Sequence, residues 1–169
     1  MPSLFARLRP APPVSSAAYD AAVNVARAEH WYLAGGVPDT MDGRFALLAT
    51  VVALVTLRLE AAGDDGRVAS VGLTEAFIAD MDAQMREQGF DATLSKQVRS
   101  LVGSLASRID QWRRAIGGEG EWSAVVRRTV YRDSPGSEDA LDYSTGKLRL
   151  LWDRLGEAPL SDVLGGRFQ

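Results

Sequence analysis

The fold of this 169-residue chain depends on residues 32–59, which read YLAGGVPDTMDGRFALLATVVALVTLRL. Two glycines and a proline precede a run that is apolar on nearly every side, with Arg44 near its start and Arg58 near its end. Pro38 disfavours helical geometry in the residue before it, so the glycine-rich segment is predicted to be a turn. Asp39 or Thr40 is then placed to cap a helix over residues 41–62.

This second helix is too short in its apolar part to be a membrane span. Its longest apolar run, residues 45–57, has thirteen residues including two threonines, whereas crossing a bilayer takes about 20. We therefore interpret it as a buried core helix. At 100° per residue Arg44 and Arg58 share one stripe, and a guanidinium drawn toward covered surface needs a carboxylate or carbonyl partner, or a path to solvent along its stem.

The next helix, predicted over residues 71 or 74 to 88, supplies candidate partners for these arginines. Asp80 and Glu87 lie together on its flank, about 10 Å apart by helix rise. Paired carboxylates also occur in acid–base catalysis such as glycoside hydrolysis, but nothing in the sequence marks a pocket between them. We favour structural ion pairs with Arg44 or Arg58. Arg108, at the border of a later apolar stripe, is likewise expected to meet a buried or half-buried acid.

The remaining segments also indicate helices. Ser15 or Ser16 is predicted to cap a first helix over residues 17–33, and a fourth helix over 93–116 has apolar residues every three or four positions. Residues 121–131 fit either a helix or a strand because they are rich in β-branched side chains. A last long helix is predicted over 138–155, with at most one further turn in the tail.

These elements define the fold class and the domain organisation. Neither strand pairing nor an internal repeat is indicated, so we predict an all-α, single-domain bundle of five to seven helices around a central apolar helix. Residues 1–14 are expected to form a flexible N-terminal arm, and residues 15–169 the helical domain.

Composition excludes several kinds of chemistry. Without cysteine, thiolate catalysis, iron–sulfur clusters and cysteine-ligated zinc sites are impossible. The single histidine, His30, rules out a multi-histidine metal site, and we interpret it as a structural side chain beside Trp31. No metal or cofactor is expected, and no motif for an enzyme is present. A net charge of −3 gives no general attraction to nucleic acid, and DNA is not expected as a partner.

Charge is nevertheless segregated along the chain. Residues 60–91 contain eight acids against Arg67 and Arg86, and residues 96–132 contain eight bases against three acids. On the fourth helix the exposed face is predicted to carry Lys96, Arg99, Arg113 and Arg114. This face is either an ordinary solvated surface or a binding site for phosphate or an acidic partner, so an RNA- or ribosome-binding adaptor is the alternative function.

Three blocks of residues resemble the ubiquinol-cytochrome c chaperone family. The first is Trp31 and Tyr32 followed by GVPDTMDGRF and a helix that ends in LRL; the second is FIADMDAQMREQGFD, residues 77–91. The third is Lys96, with Arg108 twelve residues later and then Trp112. Together the blocks give a family-like core over residues 31–116.

The resemblance implies a non-enzymatic, all-helical chaperone that binds newly made cytochrome b during assembly of respiratory complex III. In mitochondria the family also works with a small partner protein near the ribosomal exit. The implied location is the bacterial cytoplasm, including the inner face of the membrane, or the matrix side of mitochondria if the source is eukaryotic. Such a chaperone needs an apolar groove with a charged rim. Our candidate client-binding residues are Tyr32, Pro38 and Asp39, in a region that includes the second and third helices, where Met81 and Met85 lie on the apolar stripe of the third. Lys96, Arg99 and Arg113 are the candidate rim.

Overall fold

The computed structural model describes residues 16–89 and 94–169, and within them the chain is all-helical. This confirms the predicted fold class. The predicted arm, residues 1–14, the possible cap Ser15 and residue 93 at the predicted start of the fourth helix lie outside the described residues. The described elements are α1 (Ser16–Arg27), a 3₁₀ helix (Glu29–Trp31), α2 (Met41–Glu60), α3 (Asp64–Glu87), α4 (Leu94–Ile116), α5 (Trp122–Tyr131), α6 (Glu138–Glu157) and α7 (Leu160–Leu164).

The predicted central helix is α2. Every residue from Ala46 to Leu57 is buried, because α2 packs against each of the other six α-helices. The hydroxyls of Thr50 and Thr56 donate to the carbonyl oxygens four residues earlier, at 2.8 Å in both cases. Their polar atoms are thus satisfied inside the helix, and α2 can be covered on all sides by apolar neighbours.

The turn before α2 is held against its first helical turn. Thr40 is the cap, and its side-chain oxygen accepts from the Gly43 amide at 3.1 Å. A Cβ at Gly43 would lie 1.9 Å from the carbonyl oxygen of Pro38, so only glycine allows the proline turn to fold back this closely. The motif PDTMDG therefore sets the angle at which the chain enters the central helix.

The first helix is shorter than predicted. It ends at Arg27, and Ala28 leaves helical geometry with a ψ of 132°. Two aromatic side chains take up carbonyl oxygens at this end: Trp31 Nε1 donates to Val25 at 2.8 Å and the Tyr32 hydroxyl donates to Ala26 at 2.8 Å. The prediction of a helix to residue 33 was wrong because these side-chain bonds replace backbone bonds at the helix end.

The third helix is longer than predicted at its N-terminus. It begins at Asp64, so the GDDG segment ends α2 and also starts α3. Gly63 has a φ of 84°, and this left-handed conformation reverses the chain between α2 and α3. The two aspartates in the first turn of α3 interact favourably with the positive end of its helix dipole. Gly66 permits close contact with α2, because a Cβ there would lie 1.9 Å from the Leu59 carbonyl oxygen.

The later helices close the bundle around α2. On α4 the predicted stripe is buried at Leu105 and Trp112, and the Trp112 ring meets Trp122 of α5 edge to face at 4.9 Å. Residues 122–131 are helical, which decides between the helix and strand alternatives. The buried Tyr131 hydroxyl donates to the Gly35 carbonyl oxygen and lies 2.7 Å from the Ser144 hydroxyl, which ties α5 and α6 to the segment before α2.

His30 lies beside Trp31, as the sequence suggested, and also beside a second aromatic ring. Its ring centroid lies 4.5 Å from that of Trp31 and 5.9 Å from that of Tyr143 on α6. The Nδ1 atom is buried without a hydrogen-bond partner in the described part of the chain. Burial, followed by the nearby Lys147 ammonium, lowers the pKa of His30, so the imidazole is neutral at pH 7.

In the ranges that the structure describes, none of the helices combines the length and the hydropathy needed to cross a bilayer.

Candidate functional site

A groove of about 1030 Å³ opens beside the N-terminal end of α2. One wall is formed by the end of α1 and the segment that follows it, and the other by the second half of α3 and the first half of α4. Between these walls the first turns of α2 line the groove, from Met41 to Leu48. We treat this groove as the candidate site.

The floor of the groove is apolar and rich in methionine. Three of the chain's four methionines, Met41, Met81 and Met85, line it together with Phe45. Met41 is 55 % exposed, and Leu33 at the edge is 75 % exposed. Methionine is unbranched and adapts its shape to different surfaces. A floor of this kind suits apolar segments of varying sequence better than one rigid ligand.

The sequence had pointed to part of this floor. Met81 and Met85 lie on the apolar stripe of the third helix, but Met41 and Leu33 were not singled out as site residues. The signal that would have found Met41 is its position directly after the cap Thr40, at the exposed start of a helix that is otherwise buried.

Two of the candidate client-binding residues lie at the groove and one does not. Tyr32 and Asp39 line it, whereas Pro38 is exposed outside it. The Tyr32 hydroxyl is used to cap α1, and burial raises its pKa, so only its ring is presented to the groove. Pro38 acts indirectly, through the turn that it forms against Gly43. Client contact by Tyr32 and Asp39 stays a prediction.

The rim of the groove carries two exposed ion pairs. Arg44 Nε lies 2.6 Å from Asp39, and Arg132 Nη1 lies 3.1 Å from Asp42. The side chains of all four are more than half exposed. Exposed pairs of this kind contribute little to stability, and they can be rearranged when a partner docks.

The expected ion pairs between the two arginines of α2 and the acids of α3 are not formed. Arg44 does form an ion pair, but with Asp39, which the proline turn brings within reach. Arg58 instead donates to two backbone carbonyl oxygens near the end of α6, those of Leu155 at 2.7 Å and Ala158 at 2.9 Å. Carbonyl oxygens at a helix C-terminus lack internal donors and attract a cation. The expected pairing with Asp80 or Glu87 was therefore wrong for both arginines, and Arg58 has the carbonyl partners that the sequence left open as an alternative.

The acids of α3 have other roles. Asp80 accepts from the Tyr19 hydroxyl of α1 at 2.5 Å and from Gln84 at 3.1 Å. Burial and the neighbouring Asp80 raise the pKa of Tyr19, which keeps this phenol protonated as the donor. Glu87 is exposed near the end of α3, and within residues 16–89 and 94–169 it has no ion pair. The structure therefore gives Asp80 and Glu87 different surroundings and does not bring these two carboxylates together on a shared partner.

Arg108 is buried as expected, but without the acid that the sequence predicted. It is 8 % exposed. Its guanidinium donates to the Thr129 carbonyl oxygen of α5 at 3.1 Å and to the carbonyl and hydroxyl oxygens of Ser104, and it lies 5.5 Å from the centre of the Phe45 ring. Burial, and then the nearby Arg132, lowers its pKa to about 10. The prediction of an acidic partner was wrong because backbone oxygens and a ring take its place.

The predicted basic rim is divided by the fold. Lys96 and Arg99 are exposed on the first turns of α4, near the groove but not among its lining residues. Arg113 lies about 20 Å further along the helix, where it pairs with Glu60 at 2.9 Å and with Asp110 at 2.7 Å. Arg113 is thus not brought to the groove, and the basic face of α4 is partly neutralised.

The groove offers apolar surface and exposed charges for contact with a partner. Among the residues that the structure describes, no three histidine or carboxylate side chains converge in a way that could hold a metal ion. Several of the polar groups at the groove are engaged with one another or with backbone, as Asp80 and Tyr32 are. What remains available is an open apolar floor with a charged, exposed edge.

Comparisons with known proteins agree with this architecture. A solved structure, described as the Cbp3 homolog from Brucella abortus, is similar in fold with a TM-score of 0.69 and 21 % sequence identity, over 92 % of this chain and 87 % of that one. A comparison with curated protein sequences gives no significant match. The sequence model of the ubiquinol-cytochrome c chaperone family matches residues 33–168, which include all of α2 to α7 and the groove-lining residues from Leu33 onward. The chain therefore belongs to the ubiquinol-cytochrome c chaperone family.

Proposed function

We propose that this protein is a non-enzymatic chaperone for the assembly of respiratory complex III, and that its client is newly made cytochrome b. Family membership supports the assembly role. The observation that carries the binding role is the open groove with its methionine-rich floor beside α2. Contact with the ribosome through Lys96 and Arg99, or with a small partner protein, belongs to the same proposal as a second stage and is not needed for the first.

The groove has the properties that a temporary cover for a membrane helix requires. An apolar helix can lie along a groove with its exposed edge facing solvent, in the manner of other helix-in-groove complexes. Met41, Met81 and Met85 can adapt to side chains of different shape. The ion pairs of Arg44 and Arg132 lie at the edges of the groove, and because they are exposed they contribute little free energy. A client held in this way is shielded from water and can still be released.

The proposal is tested in cells that make complex III. Deletion of the gene should lower the amount of assembled complex III, and a tagged copy that restores it should retain cytochrome b when it is purified. Unchanged levels of complex III and cytochrome b after deletion would contradict the proposal. Return of the wild-type gene, as the control, should restore both.

A further inference from the structure

The Arg108 side chain of α4 is a buried cation without a buried anion. No carboxylate of the described residues lies within ion-pair distance, and its Nε–H has no hydrogen-bond partner there. The oxygen atoms that it does reach, on Thr129 and Ser104, belong to neutral groups. Placing a charge in the protein interior is unfavourable unless it is paired. The bundle alone therefore leaves part of this charge uncompensated.

Arg108 lies next to the groove. Two of its contacts, the Phe45 ring and the Ser104 side chain, are themselves groove-lining groups. Arg132, whose charge acts on Arg108, also lines the groove, and its described partner is the single carboxylate of Asp42. Arg108 itself lies just behind these lining residues, so this corner has one cation and one anion at its surface and a second, buried cation beneath it. The nearby floor, at Phe45 and Leu101, is apolar.

We propose that the groove recognises an apolar helical segment that carries one carboxylate, and that this carboxylate is held at the Arg108 corner. The inference rests on the proposed function and adds to it the chemistry of the bound segment. An acidic side chain in an apolar stretch is costly to leave unpaired. When such a segment binds, its carboxylate pairs with the Arg108 guanidinium, and Arg108 then has the anionic partner that the fold does not supply. Charge complementarity therefore selects the acidic segment over a basic or neutral one.

The test uses two labelled helical peptides that differ at one position. Both have leucine and alanine on one face and lysine on the other, and the centre of the apolar face carries glutamate in one and glutamine in the other. Fluorescence anisotropy with the full chain should show that the glutamate peptide binds at least about fivefold more tightly, since a paired charge of this kind is worth about 1 kcal/mol or more.

Variants of α4 assign the preference to Arg108. Arg108→Gln should abolish the preference for glutamate, and Arg108→Lys should retain part of it. Arg113→Gln removes a cation from the same helix at a place away from the groove, and it should leave the preference unchanged. Arg108→Gln is checked for folding by circular dichroism. If it does not fold, the NMR signal of the Arg108 Nε–H group is followed in the unaltered chain instead. This signal should shift when the glutamate peptide is added and should not shift with the glutamine peptide.

The inference is overturned if the two peptides bind with equal affinity or if neither binds. It is also overturned if the Arg108 Nε–H signal does not shift when the glutamate peptide is added. These outcomes are separate from those of the proposed function. A chain that retains cytochrome b but does not distinguish the peptides keeps the function and loses the inference. If the chain prefers the glutamate peptide but its deletion has no effect on complex III, the inference is kept and the proposed function is lost.

Discussion

The C-terminal end of α2 is closed by the rest of the bundle, whereas its N-terminal end faces an open groove. At the closed end Arg58 reaches across to α6 and donates to the Leu155 and Ala158 carbonyl oxygens. At the open end Arg44 turns outward to an exposed pair with Asp39. The two arginines belong to the same helical stripe and carry the same charge. What differs is whether another helix presents unpaired carbonyl oxygens to them.

This difference separates the part of the molecule that holds the fold from the part available for binding. Groups at the closed end are fixed by backbone partners far away in the sequence. Groups at the open end form exposed ion pairs between side chains, as Arg44 does with Asp39 and Arg132 does with Asp42, or are apolar and exposed, as Met41 is. We therefore expect substitutions at the closed end to change stability, and substitutions at the open end to change binding.

The largest effect is expected from Arg58→Met. This change keeps much of the apolar stem but leaves the two carbonyl oxygens of α6 without their charged donor. Loss of these bonds should lower the free energy of unfolding by about 2–4 kcal/mol. Chemical denaturation followed by circular dichroism measures it.

Arg44→Met is the matched control for that experiment, because it makes the same replacement on the same helix at the open end. It should leave the denaturation midpoint unchanged, since Arg44 and Asp39 are both exposed. Equal loss of stability in the two variants would show that the ends of α2 do not differ as we describe.

A smaller effect, on binding alone, is expected from Met41→Glu. Met41 is 55 % exposed at the first position of α2, where a carboxylate is compatible with the helix dipole, so the fold should keep its stability. A charge on the floor should lower client affinity about tenfold, or about 1.4 kcal/mol, measured as cytochrome b retained on the purified chain.

Val68→Glu provides the comparison for Met41→Glu. Val68 is an exposed apolar residue of α3, 75 % accessible, and it does not line the groove. It should retain cytochrome b as the unaltered chain does. If Val68→Glu lowers retention and Met41→Glu does not, the client surface lies on α3 outside the groove.

The smallest effect is expected from pH, through His30 in the segment between α1 and α2. The pKa of His30 in the folded chain is lowered by burial and by Lys147. As the pH falls below about 6.5, the histidine of the unfolded chain is therefore protonated at a higher pH than that of the folded chain. Stability should therefore fall as the pH is lowered from 7.5 to 5.5. Thermal denaturation at these two values measures the change, and His30→Asn should remove most of it because no other histidine is present.

Much of the fold was predictable because it depends on local patterns. The central helix follows from its continuous apolar run, and its start from the Thr40 cap and the proline turn. The end of α1 was missed because it depends on side chains: Trp31 and Tyr32 fold back on Val25 and Ala26. The start of α3 was missed because GDDG reads equally well as the end of one helix and the beginning of the next.

The site was less predictable, since it depends on how helices diverge. The sequence located Tyr32, Asp39 and the second and third helices as a candidate region, and the groove lies there. The partners of Arg58 and Arg108 could not be read from the sequence, because both include backbone carbonyl oxygens on helices that are distant in the chain. Complementary charge predicts carboxylate partners, whereas a helix end offers the same attraction without an acidic residue.

The contacts of Arg58 also bear on the order in which the molecule is made. They join residues 97 and 100 positions apart, so the closed end of α2 cannot be completed until nearly the whole chain has been synthesised. Until then a long apolar helix lacks part of its cover, and such surfaces promote aggregation in unfinished chains. The protein must therefore bury its own most apolar helix late in folding, which is the problem that its proposed client also presents. A chain that stops before α6 is expected to aggregate.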